Sequence, residues 1–344
     1  APRSGPPSSP PPLAMGNTGS RGNAGNSTAV AASVDALALA ALHSSLGGAH
    51  WRSSANWLQR EPCGGSSSEF RPKWEGVRCH AGNVDGLMLS DNDLAGRVPT
   101  QIGVLTHLQE LRLNSGSISG SLPTQLGMLT HLRALGVDSN RLVGTLPTQL
   151  AKLTKLTSID LDDNALSGTL PAYISLLPAL KHIELHANSL SGTLPFNSVA
   201  VPSRFGPIAA SHVALIDLEE NALSGSIPTE VGALDQLHEL RLKSNKLSGM
   251  LPTHMAALHI HDLTIDWKQF NGGQKPPWVR RNRGRSGRLR HFATLGEPFD
   301  NHSTPLADDS DEVMARDGLA GAINEWKSKG SHGTTITPRK PDEL

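Results

Sequence analysis

Carboxylates at recurring intervals are the first feature of this chain with chemical content. Asp138 and Asp162 stand 24 residues apart, as do Asp160 and Glu184, and Asp162 and His186. With Asp163, Asp217, Glu219 and Glu220 they make eight acidic groups, bordered by Arg112 on one side and by Arg241 and Lys243 on the other. Residues of these types support three kinds of chemistry. An acid paired with a carboxylate cleaves glycosides. Carboxylates with imidazoles, such as Asp162, Glu219, His182 and His186, gather a divalent ion. A block of one charge attracts a partner of the other. The first needs a pocket that excludes water, and the second needs a ligand spacing that these four residues do not repeat. The third needs only a shared surface, and an interval of 24 supplies one if the chain itself repeats.

It does repeat. Pro falls at 99, 123, 147, 171, 195, 228 and 252, and Gly three residues earlier at 96, 120, 144, 168, 192, 225 and 249. Asn occupies 92, 140, 164, 188, 221 and 245, with Gly116 in the remaining place. Five of the six intervals are 24 residues, and the fifth is nine longer, over 196–212. Self-similarity at such a period marks a stacked architecture. Alternating Leu-x-Leu makes a short strand with its large residues on one face, and Gly-x-Leu-Pro turns the chain, because Gly tolerates unusual dihedrals and Pro removes a donor. A lone unit buries too little to order 24 residues, whereas stacked units share a core. The recurrent Asn offers a short amide for backbone groups in the turn.

Stacking converts the intervals into surface columns, since neighbours in a strand point to opposite sides. Between the buried leucines run Met88, Arg112, Gly136, Asp160, Glu184, Asp217, Arg241 and Thr264; two residues on run Ser90, Asn114, Asp138, Asp162, His186, Glu219, Lys243 and Asp266. The next column is Asp91, Ser115, Ser139, Asp163, Ala187, Glu220, Ser244 and Trp267. The concave face is therefore expected to bind a ligand through Asp138, Asp160, Asp162, Asp163, Glu184, His186, Asp217, Glu219, Glu220, Arg241 and Lys243, with a cationic peptide or basic protein surface as partner. The competing reading is that charge merely solubilises an exposed sheet. Arg241 and Lys243 form a basic pair, or else balance Glu239 and the neighbouring acids.

Cys63 and Cys79 lie outside the repeats. They form a disulfide, stay as thiols, or join a metal site, for which the usual four-ligand spacing is missing. A disulfide implies an oxidising compartment.

The register Leu-x-x-Leu-x-Leu-x-x-Asn-x-Leu-x-Gly-x-Leu-Pro resembles the plant-specific class of leucine-rich repeats. Asp35-Ala36-Leu37, Trp57-Leu58, Pro62-Cys63 and Trp74-Glu75-Gly76-Val77-Arg78-Cys79 resemble the N-terminal cysteine-pair cap of that family, as in ectodomains of receptor-like kinases and receptor-like proteins and in polygalacturonase-inhibiting proteins. The resemblance implies an α/β solenoid, a right-handed superhelix with a concave parallel β-sheet and an N-terminal helical cap. It also implies recognition of proteins, peptides or co-receptors outside the cell. Departures are the Gly-Ser-rich loop near 64–73, the insertion at 196–212, and the missing paired-cysteine C-terminal cap.

Four regions follow. Residues 1–33 are rich in Pro, Gly and Ser and read as disordered, with Ser33 a helix cap. Residues 34–83 form the cap, 84–270 hold seven units and a terminal partial one, and 271–344 read as a mostly disordered tail with a short helix near 311–327. The tail carries an Arg-rich run, Arg280 to Arg290, suited to acidic surfaces, anionic lipid or RNA, or to folding back as a solvated linker on the acidic face. Sequons stand at Asn26 and Asn301. Pro341-Asp342-Glu343-Leu344 differs in its first residue from the endoplasmic-reticulum retrieval signal.

Function classes are narrowed by what is missing. The 31 basic and 31 acidic residues cancel, so wholesale nucleic-acid binding is not indicated. No apolar run approaches the roughly 18 residues of a membrane span. Phosphate-loop, kinase and His-Glu-x-x-His motifs are absent. The expectation is a binding module and not an enzyme, without cofactor or metal, in the secretory pathway or outside the cell. The alternative is an intracellular scaffold with reduced cysteines.

Overall fold

The structure, a computed structural model, describes residues 33–59, 61–63, 74–196, 212–274 and 276. The leading segment to residue 32, the insertion from 197 to 211, the Arg-rich run, both sequons, the 311–327 helix and the terminal tetrapeptide lie outside the described residues.

Each Leu-x-Leu makes a three-residue strand, and the strands align without slippage. Leu87 pairs in register with Leu111, Leu111 with Leu135, and Leu135 with Ile159. Ile159 continues to Ile183, Ile216, Leu240 and Leu263. All are buried. The sheet has nine strands, the first (Val77–His80) antiparallel to the second (Asn83–Met88) and the rest parallel. The second strand straddles the boundary at 83/84, so cap and repeats share one sheet.

The Asn column stitches units together. Asn164 donates to the carbonyls of Val137, Leu161 and Asp162 at 2.9–3.2 Å and accepts from the amide of Leu142 at 2.9 Å. Asn140, Asn188, Asn221 and Asn245 repeat the arrangement. Asn92, at the start, bonds both ways to the Ser53 backbone in the cap. Asn271, placed by sequence in the tail, accepts from Leu251 at 3.1 Å and closes the series.

The residue before the Asn of each repeat unit, and Ser115 before Gly116, is left-handed: Asp91, Ser115, Ser139, Asp163, Ala187, Glu220 and Ser244 have φ between 49° and 58°. This bend sends the chain into a second parallel sheet of seven strands, from Ala95–Gly96 to Lys246–Leu247, which sequence did not anticipate. Return segments such as Thr100–Val104 and Thr124–Met128 are 3-10 helices. Among the described residues the one α-helix is Val34–Ser45 of the cap. Ser33 caps it, accepting from the amide of Ala36, and so belongs to the cap. Trp51, Trp57 and Trp74 pack edge-on and tilted at 4.9 Å, and Cys63 and Cys79 form a disulfide beside them.

Candidate functional site

Besides the three columns read from sequence, a further column of the first sheet points away from the core. The overlooked column precedes the first leucine: Glu110, Ala134, Ser158, His182, Leu215, Glu239 and Asp262. The same alternation that exposed the others would have found it.

This column decides where the arginines go. Glu110 pairs with Arg112, and also with Arg78 at 2.6 Å. Arg241 reaches Glu239 at 2.7 Å, Asp262 at 2.9 Å and Asp217 at 3.3 Å. Burial works against the charge of Arg241, but the hydrogen bond to Asp262 and the fields of Glu239 and Asp217 outweigh it and raise its pKa. Arg241 is thus ion-paired with the acids around it.

The middle column is crowded between its neighbours and largely shut off from solvent. Asp160, Glu184 and Asp217 are buried, with Arg112 and Thr264, and so is Asp162 in the next column. This corrects the expectation of eight displayed carboxylates: four form a floor. Alternation gives a side chain's direction, and strands about 4.8 Å apart leave it little space. Asp163 and Glu220 are exposed, and Asp138, His186, Glu219 and Lys243 are partly so. Trp267, in the third column by count, is instead buried where the stack closes.

The floor is electrostatically distinctive. His186 has its Nδ1 at 2.7 Å from Asp162, and that contact pushes its pKa up to about 9 against its partial burial. Burial holds the carboxyls of Asp217 and Glu219 above their usual range; Glu219 also accepts a hydrogen bond from Thr264, which opposes the shift. Burial, and then Lys181, lowers the pKa of His182. Oxygens of Asp160, Asp162 and Glu184 lie within 4.8 Å of one another, a set able to hold a divalent ion. It differs from the quartet weighed and set aside on sequence, Asp162, Glu219, His182 and His186, with which it shares Asp162 alone.

The units stack with an in-register leucine row, and a leucine-rich-repeat family model matches residues 130–190. The chain is a leucine-rich-repeat protein. The structure of PEPR1–AtPEP1 is similar over 69% of this leucine-rich-repeat chain and 34% of its own, with 25% identity and a TM-score of 0.52. The Arabidopsis receptor kinase HAESA, solved with the peptide hormone IDA and the co-receptor SERK1, shares 31% identity over 52% of this chain and 28% of its own, TM-score 0.48. The BIR3–SERK2 complex from Arabidopsis thaliana shares 30% identity over 55% and 94%, TM-score 0.44. The leucine-rich-repeat chain spans about a third or less of the length of PEPR1 and HAESA. No curated protein sequence matches it. Among its described residues no helix is long and apolar enough to cross a membrane.

Proposed function

We propose that the chain is a non-catalytic binding module for a protein or peptide, a receptor-like ectodomain or a secreted recognition or inhibitor protein, with a cationic ligand on its concave face. The observation that carries this reading is the layering of that face. Buried acidic side chains form a floor, and Asp163 and Glu220, exposed on residues the backbone holds in a fixed left-handed bend, offer direct ion pairs above it. A basic side chain meets charge that is already ordered, so little side-chain entropy is lost on contact. The Cys63–Cys79 disulfide supports an oxidising, secretory setting, against the rival intracellular scaffold.

The test is to pan a random peptide library on the whole chain and on D163K/E220K. Enrichment of Lys- and Arg-bearing peptides that the variant no longer captures supports the proposal. Peptides without basic bias, or equal capture by the variant, overturn it. The compartment is tested separately, by mass after alkylation of protein isolated from its native source with and without reductant: two free thiols would favour the scaffold.

A further inference from the structure

The cations fixed in the stack are spent before they reach its acidic rim. Arg112 is committed to Glu110, and Arg241 to Glu239, Asp262 and Asp217. The outermost column of the concave face, Asp91, Ser115, Ser139, Asp163, Ala187, Glu220 and Ser244, holds acids and no base, and its Asp163 and Glu220 are exposed. Among the described residues no ion pair engages Glu220, and Asp163 comes only to 4.0 Å from a ring nitrogen of His186.

The same chain carries the opposite charge just past the end of the stack. No acidic residue stands between Asp266 and Glu297, and that stretch holds Arg280, Arg281, Arg283, Arg285, Arg288 and Arg290. Its point of attachment is fixed. Beyond the terminal strand Asp262–Thr264, Phe270 pairs with Gly249 and the amide of Asn271 donates to the Gly249 carbonyl at 2.8 Å. Along the stack, Glu220 belongs to the unit two strands before that end and Asp163 to the unit four strands before it, about 10 and 19 Å away. Crossing from the row of Gly249 to that of Ser244 takes five residues, at most about 17 Å. Counted from Pro276, an extended chain brings Arg285 as far as about 30 Å and Arg290 about 48 Å. The run has the length to lie across both carboxylates, and its forked guanidinium groups match them in shape as well as charge.

We propose that the run from Arg280 to Arg290 is an internal ligand of the acidic rim, held on the concave face of its own chain and competing there with basic peptides from outside. It rests on the reading of that face given above and adds how the face is regulated. A segment tethered this closely stands at an effective concentration on the order of millimolar. Even an intrinsic dissociation constant of about 0.2 mM then weakens an outside peptide about sixfold.

A fluorescent octalysine peptide is titrated into three whole chains: wild type, R280Q/R281Q/R283Q/R285Q/R288Q/R290Q, and that variant with D163K/E220K added. The expected order is binding about sixfold tighter in the six-glutamine chain than in wild type, and abolished by the added D163K/E220K. A spin label on S286C gives a second readout without any peptide. It should broaden the amide signals of Asp163 and Glu220 but not that of Met128 on a return segment, and lose this effect in D163K/E220K. Equal octalysine affinity in wild type and the six-glutamine chain overturns the internal ligand, and if D163K/E220K still abolishes binding the peptide reading stands. Absence of both octalysine binding and broadening sinks the two together. Broadening of equal strength between a spin-labelled copy and a separate isotope-labelled copy assigns the rim to the tail of a second chain, and also overturns the proposal.

Discussion

Asp162 holds His186 twice, taking the backbone amide on Oδ1 at 2.8 Å and facing the ring Nδ1 with Oδ2 at 2.7 Å. The two residues are 24 apart in sequence and adjacent across the stack, so each contact ties one repeat to the next.

The pair makes stability depend on pH with a definite sign. The pKa of His186 is raised to about 9 in the folded chain, above the roughly 6.5 of an unfolded histidine. Its contribution is therefore complete below about pH 6.5 and disappears as pH rises through about 9. H186Q should melt a few degrees below wild type at pH 6 and together with it above about pH 9.5. A gap that is constant across this range, or that widens at high pH, would refute the assignment. The comparison with H186Q cancels the opposite trends of His43 and His182, whose pKa values burial lowers.

Asn164→Ala removes three donated bonds and one accepted bond inside the stack. The three carbonyls keep other donors, Asn140, Asn188 and the Ser139 amide. The main cost therefore falls on the Leu142 amide, which loses its acceptor, on the order of 1–3 kcal/mol for a buried group left unpaired. We expect a loss of about 2–4 kcal/mol, read as a lower denaturant midpoint. A change under about 0.5 kcal/mol would mean water replaces the amide.

Gly116 invites the opposite substitution, since Asn fills the corresponding place in the other units. The structure argues against it. A Cβ on Gly116 would meet the Leu94 carbonyl oxygen at 2.9 Å and Asn140 Oδ1 at 2.9 Å. The Leu94 oxygen is backbone and accepts from Ser117, so it cannot withdraw freely. Gly116→Asn should destabilise the chain, and a raised melting temperature would show that the ladder closes there after all.

What sequence could reach, and what it could not, divides along one line. The row from Leu87 to Leu240, the Asn column and the cap helix were legible, because each follows from spacing within a unit. The second sheet was not, because Ser-Ile-Ser-Gly and its equivalents read alone as turn residues and become strands only when the next unit supplies hydrogen-bond partners. Burial of Asp160 and Glu184 was hidden for a related reason: alternation says which way they point, whereas crowding depends on side chains one unit away. Glu110 and Asp262 were within reach and passed over, and with them one partner each of Arg112 and Arg241.

The Cys63–Cys79 disulfide spans 16 residues and closes a loop that holds Trp74, whose ring packs on Trp57. A crosslink of that span stabilises by about 3 kcal/mol in the chain-entropy view. C63S/C79S should unfold at lower denaturant. Because repeat stacks fray from their ends, amide exchange should rise first in Val34–Ser45 and stay unchanged near Ile183. Uniform acceleration along the stack would show that the cap is not a separate cooperative unit.

The last prediction separates floor from rim. Asp160 is fully buried beside Asp162 and Glu184, whereas the Asp163 side chain is 59% exposed. Asp160→Lys brings a longer, strongly hydrated group into a space with no route to water, and opposite charge does not compensate when neither volume nor solvation is available. It should cost more than about 4 kcal/mol, enough to leave much of the chain unfolded. Asp163→Lys keeps its charge in water and should change stability by less than about 0.5 kcal/mol. Circular dichroism melts of the two variants decide the matter. If Asp160→Lys folds as well as Asp163→Lys, the central carboxylates are open to solvent after all, and the binding surface is wider than the rim.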